Sequence, residues 1–363
     1  MFEYGSKPKS YIIHHLTQFH FVVQSENEIT TLHTSTKCCI VDLMDKKLLS
    51  SEYANSILSR CYPQDASDSV KNMCLFLGYC LFGVDEIHKC EDIDLFNTVI
   101  KSVLSFDDCT DLVPKSNVSC IRNRDGVTIE FYKGGYVVKK LNETDFFNFS
   151  ELYRELFVLE KLRGCDGIVK VFGIVDTGFV MEMAYCDLSD PLTRRLSLQT
   201  RVGLCLNIVE TMKYIHSRGV AHRDIKPANI LLFRNDDCSK FTAKICDFGL
   251  SITHNPSQDT THTGCICTTA YRPPEVVEGT MKGMYYDPQK VDLWSLGCVI
   301  FEVLTGTMFI GYDYDNMGMY NILISKRFDN SNLKPDVVSK IQNDDLKDVV
   351  VRCLKIDSSQ RLL

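Results

Sequence analysis

Apolar and polar residues alternate over 11–23 and 29–43, where β-branched and aromatic side chains predominate, and a period of two predicts strands. The period then lengthens. Apolar residues recur every three to four positions over 51–60, 69–82 and 93–104, which predicts helices with one buried face. Residues 107–117, acidic and polar around Pro114, predict a turn-rich separator. Three short strand-like runs follow at 118–122, 128–132 and 136–141, with Lys133-Gly134-Gly135 as a tight turn between the second and third. A helix is predicted over 150–162, with Leu152, Leu156 and Leu159 on one face, then strands over 169–175 and 178–183. The remainder is mostly helical, apart from an apolar strand over 230–233. Strands with one helix, followed by helices, predict a two-lobed α+β domain over residues 118–363, preceded by a separate α/β region over 1–117.

Composition narrows what this arrangement can serve. The chain has 363 residues, 45% apolar and 24% charged, which is a folded composition with length enough for a sizeable core. Forty Lys+Arg against forty-seven Asp+Glu give a net charge of −7, so no basic excess marks a binder of nucleic acid or of an anionic membrane. The acidity is concentrated in residues 1–117, with ten basic and sixteen acidic side chains. The longest apolar run, near 73–84, is too short to span a bilayer, and the first thirty residues lack a signal-peptide pattern. Seventeen cysteines are scattered without a Cys-x-x-Cys pair, which predicts small buried thiols in a reducing cytoplasmic or nuclear setting. His14, His15 and His20 have no carboxylate or cysteine spacing that would complete a metal site.

The chemistry lies in the second part of the chain. His222-Arg223-Asp224-Ile225-Lys226-Pro227-Ala228-Asn229 runs into the strand over 230–233, and Asp247-Phe248-Gly249 begins eighteen residues beyond Asn229. These strings resemble the catalytic loop and the magnesium-binding motif of the eukaryotic serine/threonine protein kinases. Upstream, Tyr136-Val137-Val138-Lys139 resembles the strand that carries the family's ATP-anchoring lysine, and Glu155, sixteen residues on, resembles its ion-pair partner. Residues 179–184 resemble the hinge that bonds adenine. Ala270-Tyr271-Arg272-Pro273-Pro274-Glu275, Asp292-Leu293-Trp294-Ser295-Leu296-Gly297 and Arg361 resemble the end of the activation segment, the aspartate helix of the large lobe and the arginine that pairs with the Glu275 position. The Tyr271–Glu275 stretch is similar to the cyclin-dependent and mitogen-activated group.

The resemblance covers 118–363 and implies the two-lobed protein-kinase fold, with a small β-rich lobe over 118–184 and a larger helical lobe over 185–363. It implies an enzyme that uses ATP and Mg²⁺ to phosphorylate protein substrates. Asp224 would accept or orient the proton of the attacking hydroxyl, Lys226 would offset charge on the γ-phosphate, and Thr268 would brace the loop. Asn229 and Asp247 would hold Mg²⁺. Lys139 and Glu155 would anchor the nucleotide, lined by Ile121, Gly126, Val127, Val137, gatekeeper Met181, the hinge residues Glu182 and Ala184, and the floor residue Leu231. Lys226 points to serine or threonine acceptors.

Two departures from the family are visible. The phosphate-covering loop of the family reads Gly-x-Gly-x-x-Gly, whereas residues 121–126 here contain only Gly126, with Arg122 and Arg124 as charges able to replace part of that grip. The sequence also ends at Leu363, where the family usually continues into a last helix, so cover for the large lobe is expected from residues 1–117. The degenerate loop motivates an alternative, a pseudokinase scaffold with weak nucleotide binding; a kinase-fold enzyme acting on a small molecule is a third reading. Arg223, before the catalytic aspartate, predicts a phosphate partner on the activation segment, placed at Thr263 by an upstream kinase or with an activating partner.

Overall fold

Alternation becomes structure in the strand Tyr136–Leu141, whose Val138 is buried in a core on one side while Val137 and Lys139 point to the other. The computed structural model describes residues 107–109, 113, 118–124, 127–141, 146–175, 178–235, 240–253, 267–282, 286–311 and 317–363. The strands expected at 11–23 and 29–43, the helices expected between 51 and 104, the three histidines, Gly126 and Thr263 lie outside these residues. The described chain divides into two units, one of residues up to 161 together with 170–183, the other of 162–169 and 184–363.

Among the described residues the first unit is a six-stranded sheet with one helix. Its strands are β1 (Asp107–Asp108), β2 (Val118–Arg124), β3 (Val127–Tyr132), β4 (Tyr136–Leu141), β5 (Val171–Val175) and β6 (Gly178–Glu182), in the order β1-β5-β6-β4-β3-β2. The helix α1 (Phe146–Lys161) buries Leu152, Leu156 and Leu159 and starts four residues earlier than the apolar spacing predicts. One expectation is overturned here. Residues 107–109 are not a separator: β1 pairs in parallel with β5, and the Cys109 N–H donates to the Ile174 carbonyl at 2.8 Å. Cys109 is buried with Tyr132, Val138, Val175 and Val180, and Val113, Val118 and Tyr136 pack on that cluster. The boundary expected at 117 therefore cuts through material that belongs to the sheet. A two-residue parallel strand has no alternation to betray it, and its partner lies more than sixty residues away.

The second unit is larger and mostly helical. It contains β7 (Cys186–Asp187), α2 (Leu198–Ser217), β8 (Val220–Ala221), β9 (Ile230–Arg234), β10 (Phe241–Ile245), β11 (Ile252–Thr253), α3 (Pro274–Lys282) and α4 (Pro288–Thr305), then shorter elements that include a helix over Asp344–Cys353. Helix α2 begins where Ser197 accepts a hydrogen bond from the Thr200 N–H, and it buries Leu204, Cys205, Ile208, Met212 and Ile215 at helical spacing. Helix α4 is capped by Asp287, carries Pro288 in its first turn and stops at Gly306, whose φ of 74° is the left-handed conformation that terminates helices. It is buried on nearly every side, as its apolar composition requires. The strand expected over 169–175 begins at Val171, and Val169 belongs to this unit, where its N–H donates to the Ile245 carbonyl at 3.0 Å. Arg361, fully buried, donates to both carboxylate oxygens of Glu275 at 2.5 and 2.8 Å and tethers the start of α3.

Five of the nine described cysteines are buried. Burial pushes the Cys205 and Cys353 thiols up to about 12, so both stay protonated and pack as small apolar groups. No helix among the described residues is long and apolar enough to cross a membrane.

Two glycines give predictions of opposite sign. A Cβ at Gly173 would run into the Asp107 carbonyl and the Cys109 sulfur, so Gly173→Ala is expected to dislodge β1 and destabilise the fold by about 1–3 kcal/mol. Gly203, inside α2, has open space around it, and Gly203→Ala is expected to stabilise by about 0.5–1 kcal/mol. Urea unfolding of the two variants beside wild type measures both.

Candidate active site

The register of the first unit sorts its residues onto two faces. Lys139 stands opposite Ile129 on β3 and Phe179 on β6, and Val137 stands opposite Phe131 and Met181, so these six share one face. Val127, opposite Leu141, belongs to the same face. On this side Lys139 Nζ lies 2.6 Å from Glu155 Oε2, and the Glu155 side chain is 2% exposed. Lys140 points the other way and bonds Glu130 at 2.6 Å. The register places Ile121 otherwise than its motif string predicts. Ile121 pairs with Glu130, which puts it on the Lys140 face, 56% exposed and away from Lys139. Its neighbours Cys120 and Arg122, paired with Phe131 and Ile129, take the Lys139 face instead. A one-residue difference in register moves a side chain to the opposite surface, and the motif string alone carries no register.

The expected hinge lies where the chain leaves the first unit. The Glu182 N–H donates to the Lys170 carbonyl at 3.0 Å and its carboxylate accepts from the Lys170 N–H at 2.7 Å, which fixes the end of β6. The Met183 N–H donates to the Gly135 carbonyl at 3.2 Å. The backbone of Ala184, the first residue of the second unit, makes no hydrogen bond to another described residue. Leu231 sits on β9 between the buried Ile230 and Leu232 and projects from the opposite side of the strand, half-buried.

Four residues of the second unit close into one polar cluster. Asp224 Oδ1 accepts from the Thr268 N–H and hydroxyl, both at 2.9 Å. Its Oδ2 accepts from Lys226 Nζ at 2.6 Å and Asn229 Nδ2 at 3.2 Å. Lys226 also donates to the Thr268 hydroxyl at 2.9 Å. That hydroxyl accepts from the lysine and donates to the aspartate, as one O–H can. The carboxylate of Asp224 is thereby fixed by ligands from both its own loop and a segment forty-four residues away.

Asp292, fully buried on α4, holds the loop from beneath. It accepts the backbone N–H groups of His222 and Arg223, each at 2.7 Å, and lies 3.0 Å from His216 Nε2. Both N–H groups can reach one carboxylate because Arg223 takes a left-handed φ of 69°, a conformation uncommon for a side-chain-bearing residue. His222 Nδ1 accepts from the Asp224 N–H at 3.2 Å, so the proton sits on Nε2, which donates to the Cys246 carbonyl at 2.9 Å. The His222 ring packs against Phe248, 4.7 Å between centroids. In return the Cys246 N–H donates to the Asn229 carbonyl at 3.0 Å, and β9 and β10 pair at Ile230 and Ile245. These bonds bring Asn229 and Asp247, eighteen residues apart, to adjoining positions. Asp247 also has a left-handed φ, 64°. The side chain of Arg223 keeps a buried Nε without a hydrogen-bond partner among the described residues.

Comparison with known proteins gives the family. The profile described as protein kinase domain matches residues 129–363. A mitogen-activated protein kinase hog1 of Aspergillus clavatus is 40% identical over 171 residues, covering 45% of this chain and 43% of that protein. The mitogen-activated protein kinase sakA of Aspergillus fumigatus matches with the same figures, and a mitogen-activated protein kinase hog1 of Trichoderma harzianum is 39% identical over 170 residues, 45% of this chain and 44% of that protein. The chain spans less than half the length of these curated relatives. With a β-rich unit that carries a lysine–glutamate pair, a helical unit that carries the Asp224 cluster, and a family profile over most of its length, the chain belongs to the protein kinase family.

Proposed function

We propose that this chain transfers the γ-phosphate of Mg-ATP to serine or threonine hydroxyls of protein substrates. The observation that carries this reading is the fixed Asp224 carboxylate, bonded by Lys226, Thr268 and Asn229. Phosphoryl transfer passes through a loose transition state, so positioning and charge neutralisation supply most of the acceleration. Asp224 takes or orients the proton of the incoming hydroxyl. Lys226, already close to that carboxylate, offsets charge on the phosphoryl group in flight. Lys139, aligned by Glu155, binds the nucleotide phosphates, and the hinge backbone at Glu182 and Ala184, with the Leu231 side chain, is our choice for adenine.

The residues fit a magnesium ion. Among the described residues no cluster of three or more His, Cys, Asp or Glu can hold a metal by itself. Magnesium bound to a nucleotide does not require one, because phosphate oxygens and water complete its shell beside one or two protein ligands. Asn229 spends its amide nitrogen on Asp224, which leaves its carboxamide oxygen as the hard donor, and Asp247 adds a carboxylate. The ion, when bound, neutralises phosphate charge.

The names of the relatives support an upstream activating kinase, and the buried Nε of Arg223 supports a phosphate acceptor on the activation segment, for which Thr263 is our choice. The loop with one glycine favours a second reading, a scaffold that binds nucleotide weakly.

Three measurements decide. In a Mg-ATP phosphorylation assay, Asp224→Asn and Asp247→Ala are expected to lose orders of magnitude in rate; undiminished transfer by Asp247→Ala overturns the mechanism, and phosphotyrosine as the main product overturns the acceptor class. In calorimetry with Mg²⁺, Lys139→Met is expected to lose roughly 1.5–3 kcal/mol of ATP binding, and a wild type that binds no nucleotide establishes the scaffold. Mass spectrometry of active enzyme is expected to find phosphate at Thr263, with Thr263→Ala less active than wild type.

A further inference from the structure

The sheet that carries Lys139 holds a second cation in the same row. Arg122 on β2 pairs with Ile129 on β3, and Ile129 pairs with Lys139 on β4, so the three stand side by side on one face. Two strand spacings separate the two backbones, about 10 Å. Their charges are handled differently. Lys139 is ion-paired with Glu155, whereas Arg122 has no acidic partner among the described residues; its guanidinium lies over the Phe131 ring, 5.0 Å from the centroid. The carboxylates nearest in register, Glu130 and Glu182, stand opposite Val138 and Tyr136 and so belong to the other face. By register Arg124, opposite Val127, belongs to the Lys139 face as well; Val127, Val137 and Met181 on that face are uncharged. Stacking on an aromatic ring fixes the guanidinium plane yet leaves its N–H edge open, which is the geometry that suits an arginine for a phosphate.

We propose that Arg122 is a second phosphate anchor, binding the terminal phosphates of a nucleoside triphosphate in place of the backbone N–H groups that the missing loop glycines would present. The inference rests on the nucleotide site proposed above. Its consequence is a change in the physics of the grip. Neutral backbone donors recognise phosphate with little dependence on ionic strength, whereas a partly exposed guanidinium is screened by salt and counts phosphate charges. Affinity therefore rises from adenosine to ADP to ATP and falls with added salt.

The test is calorimetry of the full chain with adenosine, Mg-ADP and Mg-ATP at low and high salt, for wild type, Arg122→Ala and Arg122→Lys. Arg122→Ala is expected to weaken ATP at least about tenfold, leave adenosine within twofold and flatten the salt dependence; Arg122→Lys is expected to keep the salt dependence and part of the affinity. Unchanged ATP binding in Arg122→Ala overturns the anchor while the kinase reading stands. Equal loss for adenosine and ATP also overturns it, since the effect would then be on the sheet and not on phosphate. A wild type that binds no nucleotide overturns both the anchor and the function on which it rests.

Discussion

One buried carboxylate sets the geometry on which the second unit's chemistry depends. Asp292 has no water to solvate it, and its charge is compensated by converging N–H donors, two of them from the backbone of the loop that presents Asp224. Those bonds hold Arg223 in a left-handed conformation that it would not otherwise keep. From that fixed turn the rest follows in sequence: His222 is held to Cys246, Cys246 to Asn229, and Asn229 to the carboxylate and carbonyl of Asp224. The candidate site residues are thus positioned by bonds to a helix and a sheet.

The two units solve a similar problem by different means. In the second, a closed cluster fixes an aspartate through many short hydrogen bonds. In the first, one short ion pair aligns a lysine, and the register of the strands decides everything else. That difference explains where the sequence was readable. The strings around Asp224, Asp247 and Glu275 are local, and their spacing survives translation into structure because each sits in a short turn, a cap or the first turn of a helix. Lys139 and Glu155 were legible as well, since a strand and an amphipathic helix separated by a short connection leave few ways to meet.

The illegible parts are those set by partners distant in the chain. Ile121 was expected beside the nucleotide from its place in the loop string, yet pairing with Glu130 turns it to the other face and brings Cys120 and Arg122 round in its place. Counting alternation back from Lys139 through two hairpins would have found this, but only with both registers known. The strand at Asp107–Asp108 resembles a turn in sequence because acidic residues near a proline are poor strand formers; burial of Cys109 and pairing with β5 override that preference. The early start of α1 at Phe146 has the same character, an end fixed by packing and not by local spacing.

The parallel strand at the sheet edge has a practical consequence for handling the protein. A chain trimmed to begin at Val118, the limit that the motifs alone suggest, would strip β5 of its outer neighbour and remove the Cys109 cover from Tyr132, Val138, Val175 and Val180. An open strand edge next to fresh apolar surface is a template for pairing with another copy. Such a trimmed chain would retain the residues of the Asp224 cluster and the Lys139–Glu155 pair, yet be prone to associate with itself. Asp107–Cys109 thus cover apolar surface as well as extend the sheet.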